Sequence, residues 1–218
     1  MKFARRSFVS TVFALGAALT VAMPSFAQTV GKDYTMISPA QPTDDAAKIE
    51  VVEFFSYGCP HCADFNPMVS AWAAKLPADV VFKKVPITFG RGAWESIARL
   101  YYTLEITGDL ARLEADVFKA IHSDKVNLFE QGALTEWVTK KGVDPKKFTD
   151  TFKSFGVMSK VKRGDQMAQA YKIQGVPALA IDGKFMVGGK DFNEQLMIAD
   201  SLIAKARNEK SGKGAAKK

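Results

Sequence analysis

Residues 53–65 read EFFSYGCPHCADF and hold both cysteines of the 218-residue chain, Cys59 and Cys62, two residues apart. Just upstream, residues 49–57 (IEVVEFFSY) form a near-continuous β-branched and aromatic run, as expected of a strand covered on both faces. Gly58 ends the run. From Cys59 a helical period takes over, with Cys62, Phe65, Val69, Trp72 and Leu76 three or four residues apart and Pro77 marking the end. A second strand reads from Val80 to Val85. Strand, turn, helix and strand make a βαβ unit, whose parallel pairing requires a right-handed crossover. Both cysteines therefore sit where a strand hands over to the start of a helix.

Beyond this unit the pattern becomes helical. Residues 91–107 align Trp94, Ile97, Ala98, Tyr101 and Leu104 on one face, and residues 109–122 align Leu110, Leu113, Val117, Phe118 and Ile121. Residues 131–141 place Leu134, Trp137 and Val138 together, and Asp144-Pro145 reads as a cap and first-turn proline ahead of Phe148 and Phe152. An amphipathic stretch over 157–173 leads back to strand chemistry. Pro177 to Ile181, the turn Asp182-Gly183 and Lys184 to Val187 predict a hairpin, because Asp-Gly supplies the positive φ of a tight turn. Asp191 and Glu194 predict a capping box for a last helix through Ala206. The expected architecture is one α/β sheet, residues 28–88 and 161–206, interrupted by an all-helical insertion at 89–160.

The ends account for the charge. Residues 1–27 have a basic start (Lys2, Arg5, Arg6), an apolar stretch from Phe8 to Met23 and the small-residue finish Ser25-Phe26-Ala27, the pattern of a signal peptide. Arg5-Arg6 also loosely matches a twin-arginine export signal. The leader carries three positive charges and no acids, and residues 205–218 carry six positive charges and one negative. Of the formal net charge of +7, residues 28–204 are left with −1. Residues 207–218 read as a basic disordered tail. A near-neutral body gives no support to nucleic-acid binding.

Two thiols at this spacing could hold a metal, lock the fold or carry electrons. A structural zinc site needs four ligands, normally Cys or His; residues 28–218 offer only Cys59, Cys62, His61 and His122, and His61, lying between the cysteines, is in awkward geometry for joining them on one ion. Covalent haem attachment would need a histidine where Ala63 stands. No metal and no cofactor are expected. A structural disulfide closing so short a loop would restrict the unfolded chain little. Redox chemistry uses the geometry better. A helix N-terminus presents its dipole and free N–H groups to Cys59 and favours thiolate, while Cys62 one turn on can attack and close the pair.

These motifs together resemble the thioredoxin-fold thiol:disulfide oxidoreductases, and within them the DsbA family of periplasmic disulfide donors. The resemblance rests on Glu53-Phe-Phe-Ser, Cys59-Pro60-His61-Cys62, the segment from Leu76-Pro77 to Lys84, the helical insertion, and Gly175-Val176-Pro177-Ala178 ahead of the hairpin. It implies a thioredoxin-like fold in which Pro177 follows a cis bond facing the cysteines, with the backbone around Val176 free to pair with a substrate peptide. It implies that Glu53 and Lys84 are the buried acid and base beneath the cysteines, Glu53 helping to move the proton of Cys62. Alternation agrees that Glu53 shares a strand face with Val51 and Phe55, and Lys84 with Val80 and Phe82, although a one-residue slip would turn Lys83 inward. His61, in the first helical turn after Pro60, is placed to stabilise the Cys59 thiolate and so make the disulfide more oxidising.

The partners so implied are reduced or unfolded exported proteins and a quinone-linked inner-membrane reoxidant of the DsbB type, with the chain itself a monomer in the periplasm. Two other readings stay in view: a disulfide isomerase or reductase, and a peptide-binding chaperone whose disulfide is incidental. His122 reads as a helix cap or surface residue, and Trp72, Trp94 and Trp137 as core. Tyr57 either lines a peptide groove or packs.

Overall fold

The computed structural model describes residues 28–212. The expected signal peptide, 1–27, and residues 213–218 of the expected tail lie outside them. A five-stranded mixed sheet is built from β1 (Tyr34–Met36), β2 (Ile49–Phe55), β3 (Val80–Pro86), β4 (Ala178–Ile181) and β5 (Phe185–Val187), in the order β1-β5-β4-β2-β3. β2 is parallel to β3 and antiparallel to β4. All seven of its residues are buried. That is why its sequence is apolar almost throughout, Glu50 and Glu53 being the exceptions.

The crossover between β2 and β3 is helix α1 (Pro60–Ala73). α2 (Gly92–Thr107), α3 (Leu110–His122), α4 (Gln131–Lys140) and α5 (Pro145–Phe152) follow as the helical insertion, and α6 (Phe155–Ala170) leads back to the hairpin. α7 (Phe192–Lys210) is the last element among the described residues. Alternation along β2 divides the core. Val51 packs with Phe65 and Val69 of α1 and Leu202 of α7, while Val52 and Phe54 pack with Ala168 and Tyr171 at the end of α6. At the C-terminal end of β2, Phe55 and Tyr57 join the core of the insertion with Tyr101 and Phe118. The strand end that carries the cysteines is therefore roofed by the helical block.

The boundaries differ from expectation in instructive ways. α6 begins at Phe155, capped by the Ser154 hydroxyl on the Val157 N–H, and runs unbroken through the expected boundary at 160/161. One helix thus serves both the insertion and the sheet. α7 continues to Lys210, past the expected end at Ala206 and into the expected tail. Arg207 donates to Asp79 at 2.6 Å, and Lys210 lies 2.9 Å from Asp182, so the last turn is tied down. At its start, Asp191 accepts from the Glu194 N–H as expected, but Glu194 accepts in return from the N–H of Lys190. The Asp182-Gly183 turn has φ of 53° and 64°. A side chain at Gly183 would also meet the Gln41 carbonyl, which accepts no such approach at 2.0 Å. β1, absent from the sequence reading, pairs antiparallel with β5 at the sheet edge.

Candidate active site

The chain leaves β2 at Phe55 and enters α1 four residues later, with Cys59 as the N-cap residue in extended conformation (φ −94°, ψ 119°) and Pro60 first in the helix. Gly58 makes the close turn possible: a Cβ there would lie 2.8 Å from Trp94 Nε1 and 3.1 Å from Ile97 Cδ1 on α2. Both cysteines are free thiols. Cys59 is 7% exposed and Cys62 fully buried, so only Cys59 is presented to a partner.

Their environments push the two thiols apart. The Cys62 thiol donates to Cys59 and, with the backbone N–H groups of Cys62 and His61, outweighs burial and brings the Cys59 pKa down to about 6. At pH 7 the charged form of Cys59 is thus favoured over its own protonated form, by about 1.4 kcal/mol for each unit that the pH stands above the pKa. His61 is exposed, and its charge is the smallest of these influences. The helix N-terminus and the second cysteine do more than the histidine that the sequence singled out. Cys62 is driven the other way, far up, by the same hydrogen bond to Cys59 and by burial, with the negative charge of Glu53 adding to both.

Pro177 faces this pair. The Val176–Pro177 bond is cis, and the Val176 carbonyl lies 3.4 Å from Cys59 Sγ, across 117 residues of sequence, and accepts from that sulfur in its thiol form. An open groove of about 510 Å³ runs beside Pro177, bounded by Ile173, Gln174, Met186 and Val187.

Beneath the cysteines, β2 and β3 set Glu53 directly opposite Lys84. Glu53 is 1% exposed, and burial pushes its pKa up to about 7 against the pull of Lys84, with Glu114 reinforcing the rise. Lys84 Nζ lies 3.4 Å from Glu53 Oε2 but donates at 2.6 Å to Glu114 Oε1 and at 2.6 Å to Asn66 Oδ1. It also sits over the Phe55 ring. Lys83 points to the other face, where it meets Asp44 at 2.9 Å and Glu50 at 2.8 Å. The register therefore does not slip, and Lys84 is the inward lysine.

Sequence reasoning missed three contributors. Glu114 of α3 and Asn66 of α1 complete the shell of Lys84; both border the apolar stripes of their helices, the one signal that could have drawn attention to them. His122 is not merely a cap. Its Nε2 makes a 2.7 Å hydrogen bond with the Tyr57 carbonyl, so this nitrogen carries the proton, and its ring stacks on Phe118. The last residue of α3 thus pins the loop that delivers Cys59. Tyr57 packs rather than lines a groove, buried among Phe55, Tyr101 and Phe118. Trp72 is only partly buried and donates to Asp200 at 2.8 Å.

Comparison with known proteins agrees with the geometry. The family model of the DSBA-like thioredoxin domain matches residues 50–197. The thiol:disulfide interchange protein DsbA of Bordetella parapertussis is 42% identical over 195 residues, 88% of this chain and 92% of the relative. That of Pseudomonas aeruginosa is 36% identical over 208 residues, 93% of this chain and 97% of the relative. The crystal structure of the Pseudomonas aeruginosa protein superposes with a TM-score of 0.80 at 37% identity, covering 84% of this chain and 96% of that one. The Xylella fastidiosa oxidoreductase DsbA superposes with a TM-score of 0.78 at 35% identity, covering 83% and 98%. With a thioredoxin-like fold, a helical insertion and a Cys-Pro-His-Cys helix start, this chain belongs to the DsbA family of thiol:disulfide oxidoreductases.

Proposed function

We propose that this disulfide-donating oxidoreductase works through Cys59 as the exchanging sulfur and Cys62 as the buried leaving group. In the oxidised enzyme a substrate thiolate attacks Cys59 Sγ, a mixed disulfide forms, the Cys59–Cys62 bond breaks and Cys62 takes up a proton from Glu53. A second substrate thiolate then attacks the substrate sulfur of the mixed disulfide and releases Cys59 as a thiolate. The substrate loses two electrons and the enzyme gains them. The contrast between the two thiols carries this reading: the lowered Cys59 sulfur is the better leaving group in the second step, and burial with the nearby Glu53 charge makes Cys62 hold a proton once the first step has released it.

Substrate binds as an extended peptide across the Val176–Pro177 edge and the groove beside it, pairing with backbone groups at Val176. Pro60 and His61 fix and polarise the first turn. The substrates are reduced exported proteins, the compartment is the periplasm reached through the 1–27 leader, and the reduced monomer is reoxidised by a quinone-linked membrane partner of the DsbB type. Replacing Cys59 with Ser abolishes disulfide donation to a reduced peptide, whereas a chaperone would keep its peptide affinity as its whole activity. Redox titration against glutathione separates donor from reductant: a potential near thioredoxin's, about −270 mV, would overturn the donor assignment.

A further inference from the structure

The proton that Glu53 is to give to Cys62 must be replaced from water, and Glu53 itself does not reach water. Exposure rises along a short path: Glu53 1%, Lys84 7%, Glu114 20%. Glu114 lies at the wall of two open grooves. One of about 540 Å³ lies between α1 and α3 past Pro67, Ser70 and Ala111, and one of about 470 Å³ runs past Ala74, Phe82 and Tyr101. Lys84 leans toward this outer carboxylate, at 2.6 Å, and stands 3.4 Å from the inner one. One cation is thus shared by two acids and bound more tightly by the one at the solvent side.

We propose that Glu114, contributed by the helical insertion, is a positioning residue for the thiol exchange: it draws Lys84 outward, leaves Glu53 able to hold a proton, and forms the solvent end of the route that restores it. The proposal rests on Glu53 as the proton donor to Cys62. In that route a proton from water reaches the Glu114–Lys84 pair and passes to the Glu53 carboxylate after Glu53 has protonated the departing Cys62 sulfur; no electrons move in this part of the cycle. The charged and titratable groups facing the cluster are Cys62 from α1, Tyr57 from the loop after β2 and Tyr101 from α2. Glu105 of α2 stands at the mouth of the second groove and is itself paired with Lys160, and Asp64, Lys119 and His122 line the first. Both phenols are pushed further from ionisation by burial, with Glu114 adding to it, so they stay neutral. Lys84 is therefore the cation between the two carboxylates, and removing the outer negative charge returns it to Glu53.

The experiment compares the full chain with Glu114→Gln and Glu53→Gln. The first readout is the carboxyl titration of Glu53 by carbon-13 NMR. The second is the pH profile of single-turnover reduction of the oxidised enzyme by glutathione, normalised to glutathione thiolate. The expected result is a Glu53 midpoint about one pH unit lower in Glu114→Gln, the kinetic step moving down with it, and a rate at pH 7 lower by about fivefold. Glu53→Gln is expected to abolish the step. An unmoved Glu53 midpoint in Glu114→Gln overturns the proposal, even where the variant melts at a lower temperature, since a purely structural residue would change stability alone. A midpoint that moves while Glu53→Gln keeps the wild-type kinetic step instead overturns Glu53 as donor and leaves the hold of Glu114 on Glu53 standing.

Discussion

The β2–β3 pair carries the same construction twice, once on each face. On one face Lys83 joins buried Glu50 to exposed Asp44; on the other Lys84 joins buried Glu53 to Glu114, which is only one-fifth exposed, 20%. Each lysine holds an inner and an outer acid. They differ in where the lysine leans. Lys83 is equally close to both partners, at 2.8 and 2.9 Å, and Glu50 also accepts from the Asp44 N–H at 3.1 Å. Asp44 is held below the usual carboxylate range by its hydrogen bond and charge contact with Lys83. This face is a clasp that fastens the segment before β2. Lys84 stands closer to its outer partner, and the inner carboxyl is left underpaid in charge, so burial prevails and Glu53 rises to about 7. Two neighbouring Lys–Glu pairs, each with a second acid outside, differ in whether the inner carboxyl is drawn up, and the difference comes from less than an ångström and from distance to water.

The largest test of this contrast removes each lysine. Lys84→Met removes the cation shared by Glu53 and Glu114, so that at pH 8 the buried Glu53 carboxyl must either take up a proton or stay charged without a partner, and should cost about 3–5 kcal/mol in urea unfolding. Lys83→Met leaves Asp44 in water and Glu50 with its N–H donor, and should cost about 1–2 kcal/mol. Equal losses would mean that the two faces are the same device after all.

A second test removes the inner acids. The folded pKa of Glu53, about 7, lies above its ordinary 4.5, so the folded state binds the proton more tightly and the wild type loses stability as pH rises from about 4.5 to 7. Glu53→Gln escapes that loss. It should be more stable than wild type at pH 8, by up to about 3 kcal/mol, and the advantage should fade on acidification toward pH 4.5. Glu50→Gln should instead be less stable at pH 8, because it weakens the clasp. Thermal unfolding at both pH values reads the two signs directly, and a destabilised Glu53→Gln at pH 8 would remove the distinction.

How much of this could be seen in the sequence follows from how local each feature is. The β2–α1 handover and the placement of Cys59 and Cys62 depend on adjacent residues, and periodicity reveals them. The hairpin follows from Asp182-Gly183 in the same way. The approach of Val176 to Cys59 spans 117 residues, and only likeness to a family foretold it. The choice between Lys83 and Lys84 is undecidable locally, because neighbouring lysines on a strand face opposite ways and each finds an acid on its own face. Glu114 lies 61 residues from Glu53 and on a different helix. Its role depends on how α3 packs against α1 and α2, which no local pattern encodes. β1 is too short at three residues to show a period, and it exists because β5 offers an edge.

The smallest expected effect concerns His61, where exposed charge meets the same thiol that buried groups control. The hydrogen bond from Cys62 and the N–H groups of the first turn remain when His61 is replaced by Ser, and only a solvent-screened charge is lost. The Cys59 midpoint, followed by thiolate absorbance, should rise from about 6 by only about half a unit, and the reduction potential should fall slightly with it. Raising the salt concentration should shrink the difference between wild type and variant, since water and ions reach this residue as they do not reach Glu53. A shift of two units or more would show that the histidine outranks the helix start, and the contrast between screened and buried charge would then fail at the very sulfur it is meant to explain.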